Sequence, residues 1–151
     1  MSHKEKAGEL FLQGYNCAQA VFAAFCDVTG IDFETALKIS SSFGGGMGRM
    51  REVCGAMSGA FMVLGALYGY DDFDHDKKSA HYALIRRAAD EFKAENGTII
   101  CRELLDGVET NTSSEPEKRT EQYYKKRPCK EYVEQAAAIV DLIIAEKGTG
   151  K

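Results

Sequence analysis

Apolar residues in this chain recur at intervals of three and four, and the segments they mark follow one another with few gaps. Ala7, Leu10, Phe11, Ala18, Val21, Phe22 and Phe25 make one such stripe between Lys4 and Phe25. Gly14 interrupts it, so the pattern predicts a helix that stops there and a second that starts at Cys17 with Asn16 as its N-cap. Cys26 lies nine residues beyond Cys17, on the opposite face of a continuous helix, and is assigned to the core. Thr29-Gly30 closes that segment, and Asp32 caps a further helix over FETALKIS that stops near Ser42.

The pattern changes at Phe43. The stretch Phe43 to Tyr70 begins as a loop dense in glycine and becomes an apolar helix that Cys54 enters, with Gly55, Gly59 and Gly65 leaving part of its surface nearly bare backbone. The sequence DDFDHD then offers several caps for a helix over Ser79 to Glu95, which Asn96-Gly97 ends. Thr98 caps the short segment IICRELL. Residues 107–127 are polar and read as a surface excursion, partly helical at most. After Pro128 and Cys129, the residues Tyr132, Val133, Ala136, Ile139, Val140, Ile143 and Ile144 form an amphipathic helix ending at Lys147-Gly148. No strand pattern and no repeat emerges. The expectation is an all-α fold, a compact bundle of five to seven helices spanning residues 1–151 as one domain.

Composition narrows what such a bundle does. At 151 residues the chain buries roughly 70% of its unfolded surface and needs no staple. A net charge of −4 without a basic stripe argues against nucleic acid as a partner. The longest apolar run falls short of the ~20 residues of a membrane span, and the charged start MSHKEKAGEL is not an export signal, so no membrane insertion and a cytoplasmic location are expected. Five cysteines in that setting point to metal or redox work rather than to structural disulfides.

Four of them share a position. Cys17, Cys54, Cys101 and Cys129 each fall at the start of a different helix, where unpaired N–H groups and the macrodipole favour thiolate. If those helix ends converge, the four make one site; if not, they are small core residues. No two form a C-x-x-C pair. Gly45, Gly46, Gly55 and Gly59 are the positions where backbone can approach a cofactor or a neighbouring helix. A phosphate cradle in GGGMGRM, with Arg49 and Arg51 beside it, fits poorly because G-K-[ST] and a preceding strand are both missing. Asp72, Asp74, His75 and Asp76 read as helix capping rather than a calcium loop, since Lys77 stands where the loop glycine belongs. His81 reads as a surface or satisfied residue. Met47, Met50, Met57 and Met62 around Cys54 leave copper a remote option.

Cys17 in GYNCAQAV, the motif Cys54-Gly55-Ala56-Met57-Ser58-Gly59 behind FGGGMGRM, Cys101 and Cys129 together resemble the redox-active family named for its cysteine pattern, C_GCAxxG_C_C. Cys26 has no place in that pattern. The resemblance implies a helical protein that binds metal or passes electrons through these four cysteines, working with a redox partner protein that the sequence does not name. Through the family's similarity to the iron–sulfur-binding part of split-Soret cytochromes it also implies a cysteine-ligated iron–sulfur cluster, with zinc or another soft metal equally able to take four thiolates. Without C-x-x-C-H, attached haem is not expected. Two other functions remain open: a metal-free thiol–disulfide oxidoreductase, and a structural or interaction domain with core cysteines. In either, the small-residue face of the central helix could pack against a second copy as a homodimer.

Overall fold

The computed structural model describes residues 1–106 and 113–149, so the start of the polar excursion, residues 107–112, lies outside the described residues. Among the described residues the protein is all-α, with nine helices, one 3-10 turn and no strand. Helix α1 (His3–Leu12) starts where Ser2 accepts from Glu5 N, and the chain leaves it through Gly14 at φ +114°. Helix α2 (Cys17–Ala24) opens on a reciprocal cap in which Asn16 accepts from Gln19 N and the Gln19 side chain accepts from Asn16 N. The chain turns at Phe25 into the single turn α3 (Cys26–Thr29), closed by left-handed Gly30.

Asp32 caps α4 (Phe33–Ser40), and a 3-10 turn, Ser41–Phe43, leads into the glycine loop. Helix α5 (Gly55–Tyr68) follows, with Cys54 at its N-cap. Asp74 caps α6 (His75–Asn96) by accepting from Asp76 N and Lys77 N, and Asp72 pairs with Lys77. Capping therefore occupies the acidic run. The remaining helices are α7 (Cys101–Leu104), α8 (Glu121–Lys126) and α9 (Cys129–Lys147). The count exceeds five to seven because α3 and α8 are too short to show a hydrophobic period of their own.

Helix α1 packs on α2 and α9, and α5 packs between α2 and α9. Phe11, Val21, Phe25, Met57, Val63, Leu64, Val133, Val140 and Ile143 are fully buried among them, with Phe92 entering from α6. Burying each such side chain contributes about 1.5–3 kcal/mol. That burial holds the bundle, because all five cysteines are free thiols.

One expectation changes here. Cys26 is not a core residue: the helix breaks at Phe25, so Cys26 begins α3 and sits half-buried at the edge of the core. The close approach expected at the glycines of α5 is made by α2: a Cβ on Gly59 would lie 2.7 Å from Ala18 O and 3.0 Å from Val21 Cβ, whereas one on Gly65 would meet nothing within 4 Å.

Candidate four-cysteine site

Each cysteine is delivered by a different local device. Cys17 is the first residue of α2, and the cap that starts this helix also anchors it: Asn16 Nδ2 donates to Ser41 O at 3.1 Å and Gln19 Nε2 to Leu37 O at 3.1 Å. Cys54 and Cys101 are placed by one antiparallel bridge between Val53 and Ile100. Cys54 N donates to Ile99 O at 2.7 Å and Cys101 N to Glu52 O at 2.6 Å, so each cysteine directly follows its bridge residue and the starts of α5 and α7 lie side by side. Pro128, at the N-cap of α9, sets Cys129 as that helix's first residue.

The glycine loop brings these parts together. Gly45, Gly46, Met47, Gly48 and Arg49 have φ of +64°, +73°, +68°, +59° and +64°, a left-handed coil, and Arg51 adds +61°. Such a backbone costs a non-glycine residue ~1–2 kcal/mol, which Met47, Arg49 and Arg51 bear. The coil closes on itself through Arg51 N donating to Gly45 O at 3.1 Å and Glu52 N to Gly46 O at 2.8 Å. Met47 N, Gly48 N and Arg49 N also donate to chain carbonyls, so these amides do not form a phosphate cradle.

All four cysteines line one cavity of about 50 Å³, together with Gly45, Gly46 and Gly55. Gly55 lies where a Cβ would come within 3.1 Å of Cys17 Cβ, and Gly46 where one would come within 2.7 Å of Cys101 Cβ. Gly59 lies one turn further along α5 and serves the α2 contact instead. Cys54, Cys101 and Cys129 are buried and Cys17 half-buried. Cys26 and the four methionines are not among the residues lining the cavity.

The thiols do not behave alike. Burial pushes Cys54 up to about 12, although hydrogen bonds to the Ala56 and Met57 amides pull the other way. The helix start therefore acts as expected, but it is outweighed: a dipole contributes ~0.3–1 kcal/mol, whereas a rise of three units corresponds to ~4 kcal/mol. Burial likewise raises Cys101, against the Arg51 guanidinium, whose Nη1 lies 3.9 Å from its sulfur. The Cys17 and Cys129 thiols act on each other within the cavity. Cys17 is pushed well up, first by Cys129 and then by burial. Cys129 is lowered, first by Cys17 and then, against burial, by Arg127, Arg119 and Arg51. Of the four thiols expected to be biased toward thiolate, Cys17, Cys54 and Cys101 are raised instead and Cys129 is lowered.

A stability consequence follows from Cys54. Its unfolded thiol ionises near ~9 but its folded thiol only at about 12, so the stability it contributes is present below pH ~9 and is lost as pH rises toward 12. The loss approaches ~1.4 kcal/mol per pH unit. The urea midpoint of the native protein should fall between pH 9 and 10.5, and Cys54→Ser, which does not ionise, should flatten that fall. An unchanged slope would count against a buried Cys54 thiol.

The remaining wall comes from the segment read as a surface excursion. Arg119, Tyr123 and Arg127 line the cavity. Arg119 donates to Phe11 O at 3.2 Å and Tyr15 O at 3.1 Å and stacks 4.4 Å above the Phe11 ring. Arg127 lies 4.9 Å over Tyr123 and is 7% exposed. Burial pushes the Tyr123 hydroxyl up to about 12, reinforced by Cys17 and Cys129. Their signal was a basic–aromatic–basic spacing of four and four, hidden among other charges.

Four thiols supply the donor chemistry of a zinc or iron–sulfur site. Among the described residues, however, no group of three or more His, Cys, Asp or Glu side chains is placed to hold a metal ion. The sulfurs as they stand share a cavity without fitting one ion. No helix of the described residues is long and apolar enough to cross a membrane.

No curated protein and no solved structure matches the chain. A family model does, over residues 15–143, a span that takes in all four cysteines of the cavity, and by that match the chain belongs to the family described as "Putative redox-active protein (C_GCAxxG_C_C)".

Proposed function

We propose that the cavity is a thiol–disulfide redox centre in which Cys129 attacks and Cys17 resolves. The observation that carries this reading is that Cys17 and Cys129 line one cavity with Arg51, Arg119 and Arg127, whose guanidiniums favour charge on Cys129. The oxidant is a disulfide, R–S–S–R′. The Cys129 thiolate attacks one sulfur, forming Cys129–S–S–R and releasing R′S⁻. Cys17 then gives its proton to the departing thiolate and attacks the Cys129 sulfur, which closes the Cys17–Cys129 disulfide and releases RS⁻. Two electrons pass from the two protein thiols to the two sulfurs of the substrate. Cys54, held protonated at neutral pH, stays out of the exchange.

Peptide mapping after stoichiometric oxidation of the native protein tests this. The expected product is a Cys17–Cys129 disulfide with Cys54 and Cys101 still alkylatable after unfolding. Random pairing, or no intramolecular disulfide, would overturn it.

A second reading is favoured by a different observation: Cys54 and Cys101 share the cavity, two thiols more than a disulfide couple needs. In it the four cysteines draw together on an iron–sulfur cluster or a soft metal ion and serve electron transfer. Metal analysis and the visible spectrum of anaerobically purified protein decide it; a colourless, metal-free protein with four titratable cavity thiols would remove it.

A further inference from the structure

A second and wider cavity, of about 380 Å³, adjoins the first and shares Asn16, Gly45, Arg51, Arg119, Tyr123 and Arg127 with it. Its size falls in the range of small-molecule sites, roughly 300–1,000 Å³. Its charge is the reverse of the chain's. The whole protein carries −4, yet the described residues of this wall include Arg49, Arg51, Arg119 and Arg127 against one carboxylate, Glu117.

These arginines are built in rather than scattered on the surface. Arg51 and Arg127 are 4% and 7% exposed. Arg119 is held by the carbonyls of Phe11 and Tyr15 and by the Phe11 ring. Arg49 donates to Ser113 O and Glu115 O, which fixes the strand of chain that carries Glu117. Keeping guanidiniums in so enclosed a place is costly without anionic partners.

Glu117 shows which anion the wall accepts. Its carboxylate is reached by Arg49 at 3.2 Å, by Arg51 at 3.8 Å and by Arg127. A planar fork matched to a carboxylate is the pairing guanidinium makes best. Arg119, held only by carbonyls and aromatic rings among the described residues, faces no carboxylate there, and the cavity's volume leaves room for one.

We propose that this arginine-walled vestibule binds the substrate of the thiol centre, a low-molecular-weight disulfide bearing carboxylates, and that Glu117 is the internal carboxylate which the substrate displaces. The assignment rests on the thiol reading of the inner cavity. The shared wall then gives the arginines two tasks: they hold the substrate's carboxylates on the outer side and favour charge on Cys129 on the inner side. The departing thiolate leaves into the same positive field, which eases its release.

The test separates binding from exchange. Reduced full-length protein is titrated calorimetrically with S-methylglutathione, which carries the carboxylates of a peptide thiol but has no sulfur able to exchange. Saturable binding is expected, weakened by salt, weakened about tenfold or more in Arg49→Ala, and strengthened several-fold in Glu117→Gln, which keeps the side chain's shape and removes its charge. No saturable binding, or equal binding in wild type and Glu117→Gln, would overturn the vestibule. In the second arm the protein is oxidised by glutathione disulfide, hydroxyethyl disulfide and cystamine, which are anionic, neutral and cationic. Rates falling in that order support the proposal. Equal rates would overturn the vestibule and leave the thiol centre standing; charge-dependent binding with no exchange by any of the three would overturn the thiol centre and the substrate assignment with it.

Discussion

Cys129→Ser is expected to remove the fast phase of thiol alkylation at pH 7, a phase at least ~10²-fold faster than the reaction of Cys54. The estimate follows from thiolate fractions. An ordinary cysteine near ~8.5 is a few per cent ionised at neutral pH. Cys129 lies below the ordinary value, held there by Cys17 and three arginines. Cys54, at about 12, is ionised to only ~10⁻⁵ at pH 7. Cys26 is half-buried outside the cavity, so it should be replaced by alanine in the background to keep its own reaction out of the measurement.

The companion variant Cys17→Ser separates the two roles. The three arginines that favour charge on Cys129 remain in it, so fast alkylation should persist while closure of the disulfide is lost and the mixed disulfide accumulates. Persistence of the fast phase in Cys129→Ser, or its loss in Cys17→Ser alone, would reverse the assignment of attacker and resolver.

Gly46→Ala should cost about 2–5 kcal/mol of stability, from a left-handed backbone and from overpacking together. Measured against a typical total of ~5–15 kcal/mol, that is enough to unfold a substantial share of the molecules. The new Cβ would lie 2.7 Å from Arg51 Cα, Glu52 N and Cys101 Cβ. Two of these are backbone inside a closed coil, and the third is tied by the Val53–Ile100 bridge, so none yields cheaply.

Gly97→Ala is the control. Gly97 has φ +84° but nothing within 4 Å of its ideal Cβ, so alanine there should cost ~1 kcal/mol from the backbone alone. Urea unfolding of the two variants isolates the steric part. Equal losses at both positions would mean that the loop does not press on Cys101.

Most of the helices were legible because their boundaries are chemical. Asn16, Asp32 and Asp74 each accept from an amide in the first turn that follows. Gly30 and Gly97 stop helices in left-handed backbone. Phe25 carries no such mark: it lies on the same apolar stripe as Phe22, so the turn there, which carries Cys26 to the edge of the core, has no local signature. The bridge between Val53 and Ile100 was equally hidden, because pairing of two isolated residues leaves no alternation to read.

The sequence by itself determined that this is a helical protein, that four of its cysteines begin helices, and that glycine permits close contact at Gly46, Gly55 and Gly59, since capping, periodicity and the absence of a Cβ are local properties. Only the tertiary structure decided how the four thiols differ in ionisation. Ionisation depends on what surrounds a sulfur in three dimensions, and burial in the shared cavity outweighs the helix start that all four have in common. Arg119 and Arg127, distant in the chain and unremarkable in a polar segment, join Arg51 in favouring charge on Cys129. Charge acts through space and not along the chain, which is why the arginine wall became visible only once the chain was folded.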